Sequence, residues 1–301
     1  MSQLVKLENY ISRYQQDPFH YPSQYIRLKQ ENWKHLLDVW KQEQNQILLE
    51  TPDVEYHLFD KWRKRFAKRT ETDVIEESSL ILPQNEEQLK QYFLDSLFNF
   101  QLKWASSTIS QMSFLDRDYF DDFTLKYLLQ RFPDTYLFMY KPIFKLKNAE
   151  IETDIVLIAP FEVLIIKIVE FPLGETVIAE DDRSWLKEEK NIRSKFMSPL
   201  ISLKRSDKLI RSILNHKEID MPVKKVVLSR TNKIEFHLEP YQTEFIDKDH
   251  HEDWVQSQRQ TNAPLKHNQL KVLDALLTFS DTVSFSRPEW QATDSDDFSF
   301  E

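Results

Sequence analysis

The chain has 301 residues, 41% of them hydrophobic and 13% aromatic, enough to bury a core in about one to three domains. Its 49 Asp and Glu against 40 Lys and Arg give a net charge of -9, which opposes non-specific duplex binding by phosphate neutralisation but leaves room for a locally basic groove. The absence of Cys excludes disulfides, thiolate zinc sites and Cys nucleophiles, and the single Gly, Gly174, excludes a Walker A loop or a dinucleotide fingerprint, so no nucleotide cofactor is expected.

The chain opens without a basic segment leading into an apolar run, and no stretch approaches ~18 uncharged apolar residues. Neither a signal peptide nor a membrane span is expected, and with no Cys the expected location is cytoplasmic. Residues 1–105 read as helical, with apolar residues at helix spacing in Ile26, Trp33, Leu36, Leu37 and Trp40, and again in Leu89, Phe93, Leu97, Phe100 and Trp104. Between Pro52 and Pro83 lies a basic patch, 61–69, containing Trp62 and Phe66. Glu71, Asp73, Glu76 and Glu77 follow it directly, which favours a solvated helix face over a phosphate-binding one.

Asp116 and Asp118 offer N-cap oxygens to a helix over 118–131, which Pro133 ends. Three strand-like runs follow, at 136–144, 151–159 and 163–171, rich in β-branched residues. A polar stretch at 179–190 precedes a second helix, opening near Ser198-Pro199 and running to Leu214. Residues 223–228 read as another strand and 264–279 as another helix. The acidic end, 292–301, reads as disordered and solubilising, although its Phe residues also suit a basic-rimmed apolar surface of a partner.

The middle of the chain therefore reads α-β-β-β-α-β, a small sheet with helices packed on it. Within it Asp154 lies on a strand leading to the turn Ala159-Pro160-Phe161-Glu162, and the return strand reads Val163-Leu164-Ile165-Ile166-Lys167. Trp185 and Ser198-Pro199-Leu200 follow. These residues, over about 115–235, resemble the nuclease-related (NERD) family of bacterial proteins, a branch of the restriction-endonuclease-like PD-(D/E)xK fold. The resemblance implies an α/β class with a mixed sheet flanked by helices. The domains expected are a helical N-terminal region at 1–108, a nuclease-related domain at 109–240 and an extension at 241–301.

The resemblance also implies metal-assisted phosphodiester cleavage, in which carboxylates hold a hard dication that polarises the phosphoryl group and acidifies a bound water. Asp154 falls on the family Asp. The family Glu-x-Lys becomes Lys167-x-Val169, and Asp121 or Asp122 is the nearest acid on the leading helix. Catalysis is accordingly expected to be weak or absent, with no cofactor. In an active enzyme, Mg or Mn would sit on Asp154, Asp121 and Asp122, with Lys167 stabilising charge. A turn symmetric about Pro160-Phe161 sets Asp154 opposite Lys167 on one face, where the ammonium replaces the ion. Glu170 points to the other face, while Glu152 shares a face with Asp154 and could form part of a displaced site.

Lys187, Lys190, Arg193, Lys195, Lys204, Arg205, Lys208 and Arg211 form a second basic run. Lys204, Lys208 and Arg211 share a helix face, as well suited to nucleic-acid contact as to solvent. His250 and His251, among acids, read as loop residues rather than metal ligands. The expected partners are DNA or, if the fold serves as an interaction scaffold, a protein.

Overall fold

The computed structural model describes residues 1–47, 83–146, 149–261 and 263–287. The basic patch at 61–69 and the acidic end at 292–301 lie outside them. In chain order the elements begin with β1 (Gln3–Leu7), α1 (Tyr21–Ile47), α2 (Glu86–Trp104), β2 (Gln111–Met112) and α3 (Phe123–Arg131). Next come β3 (Leu137–Tyr140), β4 (Ile143–Leu146), β5 (Ala149–Glu152), β6 (Ile155–Ile158) and β7 (Val163–Ile168). Then follow β8 (Thr176–Ile178), β9 (Ser184–Glu189), β10 (Ile192–Met197), α4 (Leu200–His216) and β11 (Val223–Leu228). The last are β12 (Lys233–Glu235), β13 (Thr243–Ile246), α5 (His251–Gln260), α6 (His267–Phe279) and β14 (Phe285–Ser286).

Two compact units result, one of residues 1–22 with 104–301 and one of residues 23–103. In the second, α1 and α2 pair through ring contacts of Tyr25 with Phe100 (6.5 Å) and Trp33 with Phe93 (5.3 Å). Trp40 closes it, donating its Nε1–H to the carbonyl of Pro83 at 2.7 Å.

The first unit is mixed α/β, consistent with a restriction-endonuclease-like fold. Its six-stranded sheet has the order β1-β3-β6-β7-β11-β13, and only β6 runs against the others. β3, β6 and β7 are apolar along most of their length, as strands covered on both faces must be. α4 and α6 pack together on one face. On the other, Phe132 at the end of α3 meets Phe138 of β3 (6.1 Å) and Trp254 of α5 (5.7 Å). A second sheet, β10-β9-β8-β12, turns between β9 and β10 on Lys190 and Asn191, both at positive φ. Trp185 pins it to the first sheet through Phe245, 5.3 Å away.

Several expectations are corrected. The N-terminus is not wholly helical, because β1 pairs in parallel with β3. The run 136–144 breaks at Lys141 (φ 46°) and Pro142, and 151–159 breaks after Glu152, so that β4 and β5 form a separate hairpin. The helix expected over 118–131 is a 3₁₀ turn capped by Asp116 followed by α3, whose N-cap is Asp122. The polar stretch 179–190 contains β9, whose Lys187 and Glu188 are half-buried and whose Glu189 is exposed. His251 opens a helix, not a loop. Among the described residues no helix is long and apolar enough to cross a membrane.

Lys6 of β1 is fully buried, its ammonium donating to the carbonyl of Tyr10 (2.7 Å) and the hydroxyl of Thr282 (3.0 Å). Burial lowers its pKa to about 7, against the opposing pull of Asp281. The unfolded chain therefore binds the extra proton from about pH 7 to its ordinary value of 10.5, and this group makes stability rise with pH across that window. Lys6→Met is expected to flatten the rise in Tm between those limits, as read by thermal denaturation across a pH series.

Candidate functional site

The parallel strands β1, β3, β7, β11 and β13 all end at one edge of the sheet, and the antiparallel β6 begins there. In α/β sheets this edge is where ligands are bound. Asp154 stands at it, immediately before β6. Its predecessor Thr153 is fixed by amide and hydroxyl hydrogen bonds to the carbonyl of Pro142, at 3.1 and 2.9 Å.

The β6–β7 register pairs Ile155 with Ile166 and Ile158 with Val163, the symmetric turn read from the sequence. Lys167 consequently reaches Asp154, with Nζ 3.0 Å from Oδ1. The other oxygen, Oδ2, accepts from the hydroxyl of Ser206 at 3.0 Å, and that hydroxyl accepts from the Asp154 amide at 3.2 Å. The carboxylate is 5% exposed and the lysine side chain 42%, so the pair closes the site from the inside and leaves part of the ammonium facing solvent. Ser206 was missed in the sequence, although a signal exists: it sits at i+3 from Leu203, on the buried stripe of α4.

The donor set does not fit a dication. Among the described residues Asp154 is the one carboxylate here, and its partners are already a cation and a hydroxyl. Val169, where the sequence resemblance leads one to expect the family lysine, is buried, with its amide donating to the Leu228 carbonyl. Asp122 is spent elsewhere: Oδ1 caps α3 by accepting from the Leu125 amide (2.9 Å), and Oδ2 accepts from the Tyr140 hydroxyl (2.9 Å). Asp121 and Glu152 are exposed. No group of three His, Cys, Asp or Glu among the described residues could hold a metal ion.

The opposite face of the same edge carries a second polar cluster. Arg230 binds Glu170 in bidentate fashion, Nε to Oε1 at 2.5 Å and Nη2 to Oε2 at 2.7 Å, and lies 4.6 Å from the ring centre of Tyr127. Glu170 does point away from Asp154's face, and Arg230 is its partner. Burial pushes Glu170 upward, but the hydrogen bonds and charge of Arg230 win and hold it below the usual carboxylate range. Alongside, Tyr119 donates to Glu8, and burial raises the pKa of both Tyr119 and Tyr140.

Residues 119–229 match the family profile described as "Nuclease-related domain". This segment is a nuclease-related domain. It contains Asp154, Lys167 and Ser206, whereas β1 and β13 of its sheet lie outside the match. A curated relative, named RNA 2',3'-cyclic phosphodiesterase, from Geobacillus stearothermophilus, is 33% identical over 113 residues. That similarity spans about a third of each chain, 34% of this one and 36% of the relative. No solved structure is a significant match.

Within the nuclease-related domain, most of the second basic run is neutralised. Lys187 pairs with Glu175, Lys190 with Glu189, Arg193 with Glu188, Lys204 with Asp182 and Arg211 with Asp207. Arg211 is also turned inward, donating to the Val223 carbonyl and the Gln242 side chain. Lys195, Arg205 and Lys208 are exposed and make no ion pair among the described residues. Arg205 donates to the Glu152 carbonyl at 3.3 Å, which sets it beside Asp154. Of the three nucleic-acid candidates Lys204, Lys208 and Arg211, only Lys208 stays available. His250 Nδ1 bonds the buried Asp247 at 2.7 Å, which raises the pKa of the imidazole; the pair organises the start of α5.

Arg230→Met is expected to destabilise the protein by about 2 kcal/mol, less than the range for fully buried pairs because the partners are 20% and 22% exposed. Glu170 has a depressed folded pKa, so its contribution is present above the unfolded value of 4.5 and is lost as pH falls through the folded one. Urea titrations at pH 7 and pH 3 should therefore show a smaller gap between variant and wild type at pH 3.

Proposed function

We propose that this is a nuclease-related protein that binds nucleic acid without metal-dependent cleavage. The observation that carries the reading is Lys167 Nζ at 3.0 Å from Asp154 Oδ1. Metal-assisted hydrolysis needs an ion with open coordination positions for the phosphoryl oxygen and the attacking water. Here the buried carboxylate of Asp154, which would seed such a site, already has a cation tethered to the neighbouring strand. Expelling that ammonium costs an ion pair and leaves a lysine side chain in the volume the ion and its waters need.

Binding is supported by the position of the site at the strand-end edge and by the exposed cations Lys195, Arg205 and Lys208 on β10 and α4. The relative named RNA 2',3'-cyclic phosphodiesterase brings RNA into the substrate class alongside DNA. In this role Lys167 takes part in no hydrolysis and the domain uses no cofactor.

The test is a cleavage and binding series on the full chain. Single- and double-stranded DNA, RNA, and RNA ending in a 2',3'-cyclic phosphate are incubated with Mg or Mn. All should remain intact, while single strands bind with an affinity that falls as salt rises. Metal-dependent cutting that Asp154→Ala abolishes would sink the reading. Absence of binding to any of these nucleic acids would transfer the role to a protein partner.

A further inference from the structure

We infer that Lys167 is a resident substitute for the metal ion: its ammonium, anchored on Asp154, binds a backbone phosphate of a nucleic acid directly. The inference rests on the binding role proposed above and names the atom that performs it. Three observations combine. The carboxylate of Asp154 is almost wholly buried and takes one contact from Lys167, so the ammonium is held in place while its other N–H donors stay uncommitted among the described residues. The lysine side chain is 42% exposed, at the edge of the sheet where the strand ends open to ligands. Arg205, exposed and held at the Glu152 carbonyl, adds a second unpaired cation on the same margin.

Chemically, a dication on two carboxylates and an ammonium on one present a similar thing to a phosphate oxygen: a positive centre whose counter-charge lies behind it, away from the ligand. The ammonium donates hydrogen bonds instead of accepting a ligand oxygen into a coordination sphere. It cannot acidify a water, and so it binds without cutting. The ion pair also spares the entropy of ordering a long side chain when the phosphate arrives, because Asp154 has already ordered it.

The experiment is fluorescence anisotropy of a short labelled single strand, RNA or DNA, with the full chain in either EDTA or Mn. Wild type should bind equally in both. Lys167→Arg should bind within about twofold of wild type. Lys167→Met should bind about tenfold more weakly, as loss of one charged hydrogen bond implies, with a salt slope shallower by about 0.7. Lys167→Glu sets a second carboxylate against Asp154 and should bind in Mn but not in EDTA. Because Lys167→Met leaves a buried carboxylate unpaired, the double variant Asp154→Asn/Lys167→Met serves if the single one fails to fold, and should show the same loss. Either neutral variant binding with wild-type affinity and salt slope would overturn the inference while leaving the binding role intact. Wild-type binding that disappears in EDTA would overturn it as well. A wild type that binds no strand at all would take down both.

Discussion

One ion pair governs the character of this protein: a buried aspartate at the start of an antiparallel strand and a lysine directly across the ladder from it. A carboxylate that is 5% exposed must be compensated, since an isolated buried charge is far too costly to keep. A metal ion could supply that compensation, and so can a tethered ammonium. In this chain the second arrangement is present, and the rest of the edge accommodates it. Ser206 projects from α4 to bond the remaining carboxylate oxygen, and Val169, two residues beyond Lys167, is buried and apolar.

The same edge shows how a sheet can carry two charged clusters without confusing them. Asp154 and Lys167 point to the face covered by α4. Glu170 and Arg230, just past the ends of their strands, lie against Tyr127 of α3 on the other side. The alternation of side chains along a strand separates the two, so the strong Glu170–Arg230 pair leaves the Asp154 site alone. Asp122 is withheld in a similar way, shared between the cap of α3 and the hydroxyl of Tyr140.

The hairpin was legible in the sequence because its information is local: a turn at Pro160-Phe161 and two β-branched runs fix the register, and the register fixes which residue faces Asp154. β11 and α4 were legible for similar reasons, one as a short apolar run and the other as a Pro-opened amphipathic stretch. β1 was not, because its partner β3 lies far along the chain, and five residues with both faces buried show no alternation to read. β9 and β10 were hidden by their many charged residues, and α5 by its adjacent histidines and acids. Arg211 looked like a surface cation by helix spacing alone; only the packing of α4 on β11 shows that it is an internal hydrogen-bond donor.

The long-range pairing of β1 has a consequence for how the chain acquires its shape. Gln3 meets Leu137 and Leu7 meets Tyr140, so β1, made well before β3, must wait for more than a hundred later residues before it finds its place. Closing so large a loop is slow, and until it closes, one edge of β3 is open to pairing with other chains. The segment recognisable as nuclease-related is thus not the unit that completes itself: its sheet is finished by a strand contributed from the far end of the sequence.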